Sequence, residues 1–178
     1  MKSIAEIISS KRVSEVMETI DRALFVPDGT PAYVDSPMAI GYNATISAPH
    51  MHATCLQLLE ENLKSGMHVL DVGSGTGYLT ACFALMVGPQ GHAVGVEHIQ
   101  ELADSSIKNI KKSAAAPLLK EGSLSIHVGA QIMKYPRWSP ENPAQEEPVI
   151  DVETKPGELV SNHRVISVGN KHNQGVMN

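Results

Sequence analysis

The stretch Val69-Leu-Asp-Val-Gly-Ser-Gly-Thr-Gly77 decides the architecture. It joins a short apolar run, 68–72, to a turn with glycine at 73, 75 and 77, and the apolar segment 79–87 follows. Alternate glycines let a chain turn sharply out of a strand and bring its backbone close to a ligand. The run before the turn reads as a strand. The segment after it reads as a helix closed by Gly88. Further along, 93–96 reads as a second strand ending at Glu97. Residues 101–112 read as a helix with Leu102, Ile107 and Ile110 apolar, and 124–128 as a third strand. Strand, helix, strand, helix, strand is the grammar of a parallel sheet with right-handed crossovers.

Toward the N-terminus, the pattern predicts a helix from Ser47. The serine serves as N-cap, and Pro49 sits in the first turn, where a missing N–H costs nothing. Met51, Cys55, Leu58, Leu59 and Leu63 form its apolar stripe, and Gly66 its stop. Residues 27–46 carry Pro27, Gly29, Pro31, Pro37 and Gly41 and read as loop or short strand. Ile4, Ile7, Ile8, Val16, Ile20 and Leu24 recur at helical spacing, which predicts one or two helices ending near Phe25.

Three features carry chemistry. The glycine turn departs from the dinucleotide pattern G-x-G-x-x-G, because Tyr78 stands where the third glycine belongs. Asp71 precedes the turn; a carboxylate there repels a pyrophosphate but suits a cationic sulfonium. Glu97 ends the second strand, where an acid commonly accepts hydrogen bonds from ribose hydroxyls. Both S-adenosylmethionine and NAD fit at this point, the second implying an oxidoreductase. The third feature is Thr45-Ile-Ser-Ala-Pro-His-Met-His52, which gathers Ser47, His50 and His52 at a helix start. Its bland reading is a capping serine with two ordinary histidines. Nothing nearby completes a zinc site, so no metal is expected, and no G-x-S-x-G elbow supports a hydrolase.

The 178 residues are 42% hydrophobic, enough for a real core. The net charge of −5 argues against nucleic-acid binding through overall charge. No apolar run has the length of a membrane span, and the first ten residues do not read as a signal peptide. Cys55 and Cys82 lie in apolar patterns and read as buried thiols in a reducing, cytoplasmic setting.

These motifs, in this order, resemble the protein-L-isoaspartate (D-aspartate) O-methyltransferase family. The resemblance rests on Val34-Asp-Ser-Pro37, Ile40-Gly41, Ala44-Thr-Ile-Ser-Ala-Pro-His-Met-His-Ala53, Leu70-Asp-Val-Gly-Ser-Gly-Thr-Gly77, Leu79-Thr-Ala-Cys-Phe-Ala84, Gly95-Val-Glu-His-Ile99 and Ile126-His-Val-Gly129. It runs over about residues 7–129 and is closest to eukaryotic members, with plants a candidate source. It implies the class I S-adenosylmethionine-dependent methyltransferase fold, α/β and Rossmann-like, with a parallel sheet and flanking helices. It implies methyl transfer from S-adenosylmethionine to the α-carboxylate of isoaspartyl and D-aspartyl residues in damaged proteins, by a monomer. Carried over by position, Ser47 is the catalytic-site serine. Ala44, Thr45, Ile46, Ser47 and His52 line the cofactor pocket, and Asp71, Gly73, Gly75 and Thr76 surround the methionine part. Glu97 holds the ribose, and Asp104 and Ser105 match further pocket positions.

The family continues with an Asp-Gly pair that reaches the adenine and then another strand. Here Gly129 is followed by Ala130-Gln131, and the expected strand is missing. The expected division is therefore a methyltransferase domain over 1–129, incomplete on its C-terminal side, and a divergent, poorly ordered tail over 130–178. Within that tail, 139–158 holds four prolines and six acidic residues. A truncated product, catalytically impaired and acting as a binding module, is the alternative this raises.

Overall fold

The computed structural model describes residues 8–129, 149–150 and 164–168. The first helix, α1 (Lys11–Thr19), is capped by Ser10, whose side chain accepts the Val13 N–H. Ile4 and Ile7 lie outside the described residues. A 3₁₀ turn, Arg22–Phe25, follows, and Asp21 caps it by accepting from Ala23 N at 2.9 Å. Ile20 and Phe25 anchor this segment, both fully buried.

Residues 27–46 contain a hairpin of β1 (Met38–Gly41) and β2 (Ala44–Ile46). Tyr42 and Asn43 form its two-residue turn with φ of 54° and 56°. Two successive positive φ values give the twist that a tight hairpin requires. Next come α2 (Pro49–Leu59) and a 3₁₀ turn, Glu60–Asn62, so the helix ends well before Gly66. Leu58, expected in the apolar stripe, is 59% exposed, whereas Leu56 is fully buried in its place. Two steps along a helix turn a side chain by about 200°, which sets Leu56 and Leu58 on opposite faces.

The sheet then forms as expected: β3 (His68–Val72), α3 (Tyr78–Val87), β4 (His92–Glu97), α4 (Gln100–Ile110), a short α5 (Ala116–Glu121) that the pattern did not announce, and β5 (Leu124–Val128). β3, β4 and β5 run parallel, with His68 beside His92 and Ala93 beside Leu124. Every residue of α3 except Leu85 is buried. A helix apolar on all sides belongs at the centre of a domain, and Phe83 at its middle is fully buried. Arg12 of α1 fastens this centre by donating to the carbonyls of Leu63 and Met86, the latter at 2.7 Å.

Two strands come from the segment past residue 129, where the sequence reading found none. β7 (Arg164–Val168) pairs antiparallel with β3, and β6 (Val149–Ile150) pairs antiparallel with β7. The sheet order is β5-β4-β3-β7-β6, so β3 is flanked on both sides and, among the described residues, β5 is an edge. β6 is two residues long, too short for any period to stand out among the prolines and acids around it, whereas the short run Val165-Ile-Ser-Val168 of β7 went unread. The rest of 130–178 lies outside the described residues. Among the described residues no helix is long and apolar enough to cross a membrane.

Candidate active site

The glycine turn leaves the C-terminal end of β3, the end at which open α/β sheets bind ligands. Its amides are used inside the protein. Gly73 N and Ser74 N donate to Val96 O at 2.8 and 3.1 Å, and Gly77 N donates to Ser74 O at 2.9 Å. Gly75 N donates to Glu97 Oε2 at 2.8 Å. A pyrophosphate needs such amides free at the helix start, so this turn is not built for a dinucleotide. Gly77, the cap of α3, has φ +89°, and a Cβ there would stand 2.2 Å from Ser106 Oγ of α4. The close packing expected of a third glycine is thus done at 77. That frees Tyr78 to be the first residue of α3.

Glu97 is 4% exposed. Its Oε1 accepts from His98 N at 2.8 Å and Ile99 N at 3.0 Å, and His98 Nδ1 lies 2.9 Å away. With Gly75 on Oε2, this carboxylate ties the two strand-to-helix turns together. Oε2 keeps capacity for one more donor, because each carboxylate oxygen has two acceptor positions. Asp71 is fully buried and accepts from Thr80 Oγ1 at 2.5 Å.

The start of α2 corrects the expected cap. Ser47 is not the N-cap; Ala48 occupies that position without a side-chain bond. The cap comes from the preceding loop. Asp35 Oδ1 accepts from His50 N at 3.0 Å and lies 2.8 Å from His50 Nδ1. Pro49 has no N–H to satisfy, so the first amide in need of an acceptor belongs to His50. Ser47 turns inward instead and is 3% exposed.

Burial works to raise the Asp35 carboxyl, but the two His50 hydrogen bonds and the charges of His50 and Arg22 outweigh it and hold the group below its ordinary value of 3.8. A depressed carboxyl contributes stability above its unfolded value and loses it as pH falls through the folded value. Asp35→Ala is therefore expected to cost about 1 kcal/mol at neutral pH and progressively less below about pH 4. Urea midpoints of wild type and variant from pH 7 down to 3 check this. A gap that does not shrink in acid would dismiss the carboxylate cap.

Arg22, in the first 3₁₀ turn, is only 5% exposed. Its Nε donates to Ala32 O at 2.8 Å, its Nη2 to Ser47 O at 2.7 Å, and its Nη1 lies 3.1 Å from His52 Nδ1. The guanidinium also sits 5.6 Å from the centre of the Tyr78 ring. Burial pulls it below its ordinary value of 12.5, against the opposing pull of Tyr78 and Asp35. His52, 1% exposed, packs on the same ring at 4.9 Å between centroids. The sequence singled out neither Arg22 nor the stacking role of Tyr78.

A recess lies between the hairpin, α2 and the glycine turn. Ile40, Thr45, Ile46, His52, Ser74, Gly75, Thr76, Tyr78 and Leu79 line it, and its empty space, counted out into solvent, is about 200 Å³. Of the expected site residues, Thr45, Ile46, His52, Gly75 and Thr76 line it directly. Ala44 and Ser47 flank it in sequence, while Asp71, Gly73 and Glu97 stand behind or beside the turn. The Thr76 hydroxyl is committed to Phe25 O at 2.7 Å. Asp104 and Ser105 are not brought to the recess. Asp104 is exposed and accepts from Gln100 Nε2 at 2.9 Å, and Ser105 Oγ donates to Glu101 O at 2.8 Å. It is the next residue, Ser106, that α4 buries against the turn.

Cys55 and Cys82 are buried and free. Burial pushes their thiols up to about 11 and about 12, so neither is a nucleophile at neutral pH. Among the described residues no group of three or more His, Cys, Asp and Glu side chains is placed to hold a metal ion.

Comparison with known proteins extends the resemblance. The family described as protein-L-isoaspartate(D-aspartate) O-methyltransferase matches residues 2–144. Protein-L-isoaspartate O-methyltransferase 2 of Arabidopsis thaliana is 73% identical over 123 residues, covering 69% of this chain and 40% of its own length. Protein-L-isoaspartate O-methyltransferase 1 of the same plant is 58% identical over 172 residues, covering 92% of this chain and 73% of its own. A match that wide runs well past residue 129, beyond the limit read from the motifs. The crystal structure of a Plasmodium falciparum protein described as a protein-L-isoaspartate O-methyltransferase, in complex with S-adenosyl-L-homocysteine, superposes with a TM-score of 0.65 at 35% identity; 70% of this chain and 58% of that one are covered. The chain thus spans well under two thirds of the first of these relatives. With the family matched across most of its residues and the fold matched by the same family's structure, the chain belongs to the protein-L-isoaspartate (D-aspartate) O-methyltransferases.

Proposed function

We propose that this chain methylates the free α-carboxylate of L-isoaspartyl and D-aspartyl residues in damaged proteins, with S-adenosylmethionine as donor, and so begins their repair. The observation that carries this reading is the recess itself, where the Thr45–His52 segment meets the Gly73–Gly77 turn.

The residues fit the donor. Ser74 Oγ is buried without a hydrogen-bond partner among the described residues, and Ser74 lines the recess, so a polar ligand there would satisfy it. The buried carboxylates of Asp71 and Glu97 favour a cation at this end of the sheet over a phosphate. Ala44, Thr45, Ile46, His52, Gly73, Gly75 and Thr76 would hold the group, with the second acceptor position of Glu97 Oε2 for a ribose hydroxyl. When bound, S-adenosylmethionine supplies a methyl group already activated on a sulfonium.

A carboxylate is already a nucleophile at neutral pH, so the chain needs no general base. Its work is to orient the reactants and exclude water. Ser47, beside the recess, suits the role of fixing the substrate carboxylate by a hydrogen bond. The partners are damaged polypeptides, and the enzyme is proposed to act as a cytoplasmic monomer. The two buried free thiols support the compartment.

The test is incubation with methyl-labelled S-adenosylmethionine and either an isoaspartyl peptide or its normal aspartyl counterpart. Base-labile methyl ester on the isoaspartyl peptide alone is expected. No ester at high enzyme concentration would overturn the proposal.

A further inference from the structure

We propose that Arg22 is a positioning residue for methyl transfer: it holds the Ser47 peptide in place and fixes the His52 ring with its proton on Nε2. The proposal rests on the reading of this site as an isoaspartyl methyltransferase centre.

The geometry carries it. One guanidinium bonds three acceptors from separate segments: Ala32 O, Ser47 O and His52 Nδ1. Two of them bracket the start of α2, with Ser47 just before it and His52 in its first turn. The Ser47 carbonyl belongs to the peptide plane between Ser47 and Ala48. Fixing that oxygen sets the backbone torsion from which the Ser47 side chain projects. A guanidinium only donates, so His52 Nδ1 must be an acceptor, and the neutral ring carries its proton on Nε2. His52 lines the recess, so this choice sets the hydrogen-bonding character that the ring offers there.

Filling space would not need a charge. Burying one is costly, and an apolar side chain of similar volume often serves stability as well or better. What arginine adds is a rigid planar fork whose nitrogens point in fixed directions. Lysine keeps the charge and loses the fork, so the two roles separate by substitution.

The experiment uses the full chain in two measurements. The first is steady-state kinetics of Arg22→Lys and Arg22→Met on an isoaspartyl peptide, with folding checked by circular dichroism. Arg22→Lys is expected to lower kcat about ten- to hundredfold while KM for S-adenosylmethionine stays within about threefold. Arg22→Met should lose at least as much. The second is the ¹⁵N spectrum of the wild-type histidine rings at neutral pH, with His52 assigned by its absence in His52→Gln. It should show an unprotonated Nδ1 and a protonated Nε2. Wild-type kcat in Arg22→Lys overturns the proposal, as does a loss confined to KM for the donor, or a His52 ring protonated on Nδ1. If the lysine and methionine variants do not fold, the wild-type ring spectrum still decides. If the wild type forms no ester, the functional reading fails, and the ring spectrum judges the hold of Arg22 on His52 separately.

Discussion

Gly77→Ala is expected to destabilise the fold by about 2–5 kcal/mol, the sum of a left-handed backbone penalty and overpacking. The residue has φ +89°, so any side chain there is strained before contacts are considered. The new Cβ would also stand 2.2 Å from Ser106 Oγ, 3.1 Å from Ser106 Cβ and 3.1 Å from Ile110 Cδ1. Rotating the Ser106 hydroxyl away removes the first contact and leaves the other two. Gly122 provides the control: its φ is +84° but nothing lies within 4 Å of its missing Cβ. Gly122→Ala should show the backbone penalty alone, about 1–2 kcal/mol. Urea denaturation of the two variants side by side decides the matter. Equal losses would mean that α4 does not press on the turn.

Ser47→Ala is expected to lower turnover on an isoaspartyl peptide by about 10²-fold, the cost of letting the attacking carboxylate drift out of line with the methyl group. The donor is held by other groups, so KM for S-adenosylmethionine should change little. A loss in kcat and kcat/KM together, with KM steady, marks an interaction made in the transition state. The test rests on the proposed activity. Unchanged turnover would remove this hydroxyl from the chemistry and leave Ser47 a buried structural residue.

Local chemistry made the central architecture legible in the sequence. Three glycines after an apolar run, and Gly88 after the next, place β3 and α3 almost to the residue, and 124–128 is β5. What failed were decisions that the chain makes across distance. Ser47 looks like a cap because serine caps well and Pro49 stands in the first turn, yet Asp35, fifteen residues before His50, takes the task. Tyr78 looks like a broken glycine motif until Gly77 is seen packed on Ser106. Nothing in the sequence marks Arg22, since its acceptors lie ten to thirty residues away. Asp104 and Ser105 were assigned by position alone. The helix turns Ser106, not its neighbours, toward the glycines.

The pairing of β3 with β7 has a consequence for how the protein is made. His68 meets Val168, a partner synthesised a hundred residues later. At ribosomal rates of about 5–20 residues per second, the central strand is out for several seconds or more before its neighbour exists. During that time β4 and β5 can assemble on one side, but the other side of β3 presents unpaired amides and carbonyls, a template for foreign strands. The most distant contact in the described sheet thus closes its most central strand, and the newborn chain is exposed to mispairing until residues 164–168 are available.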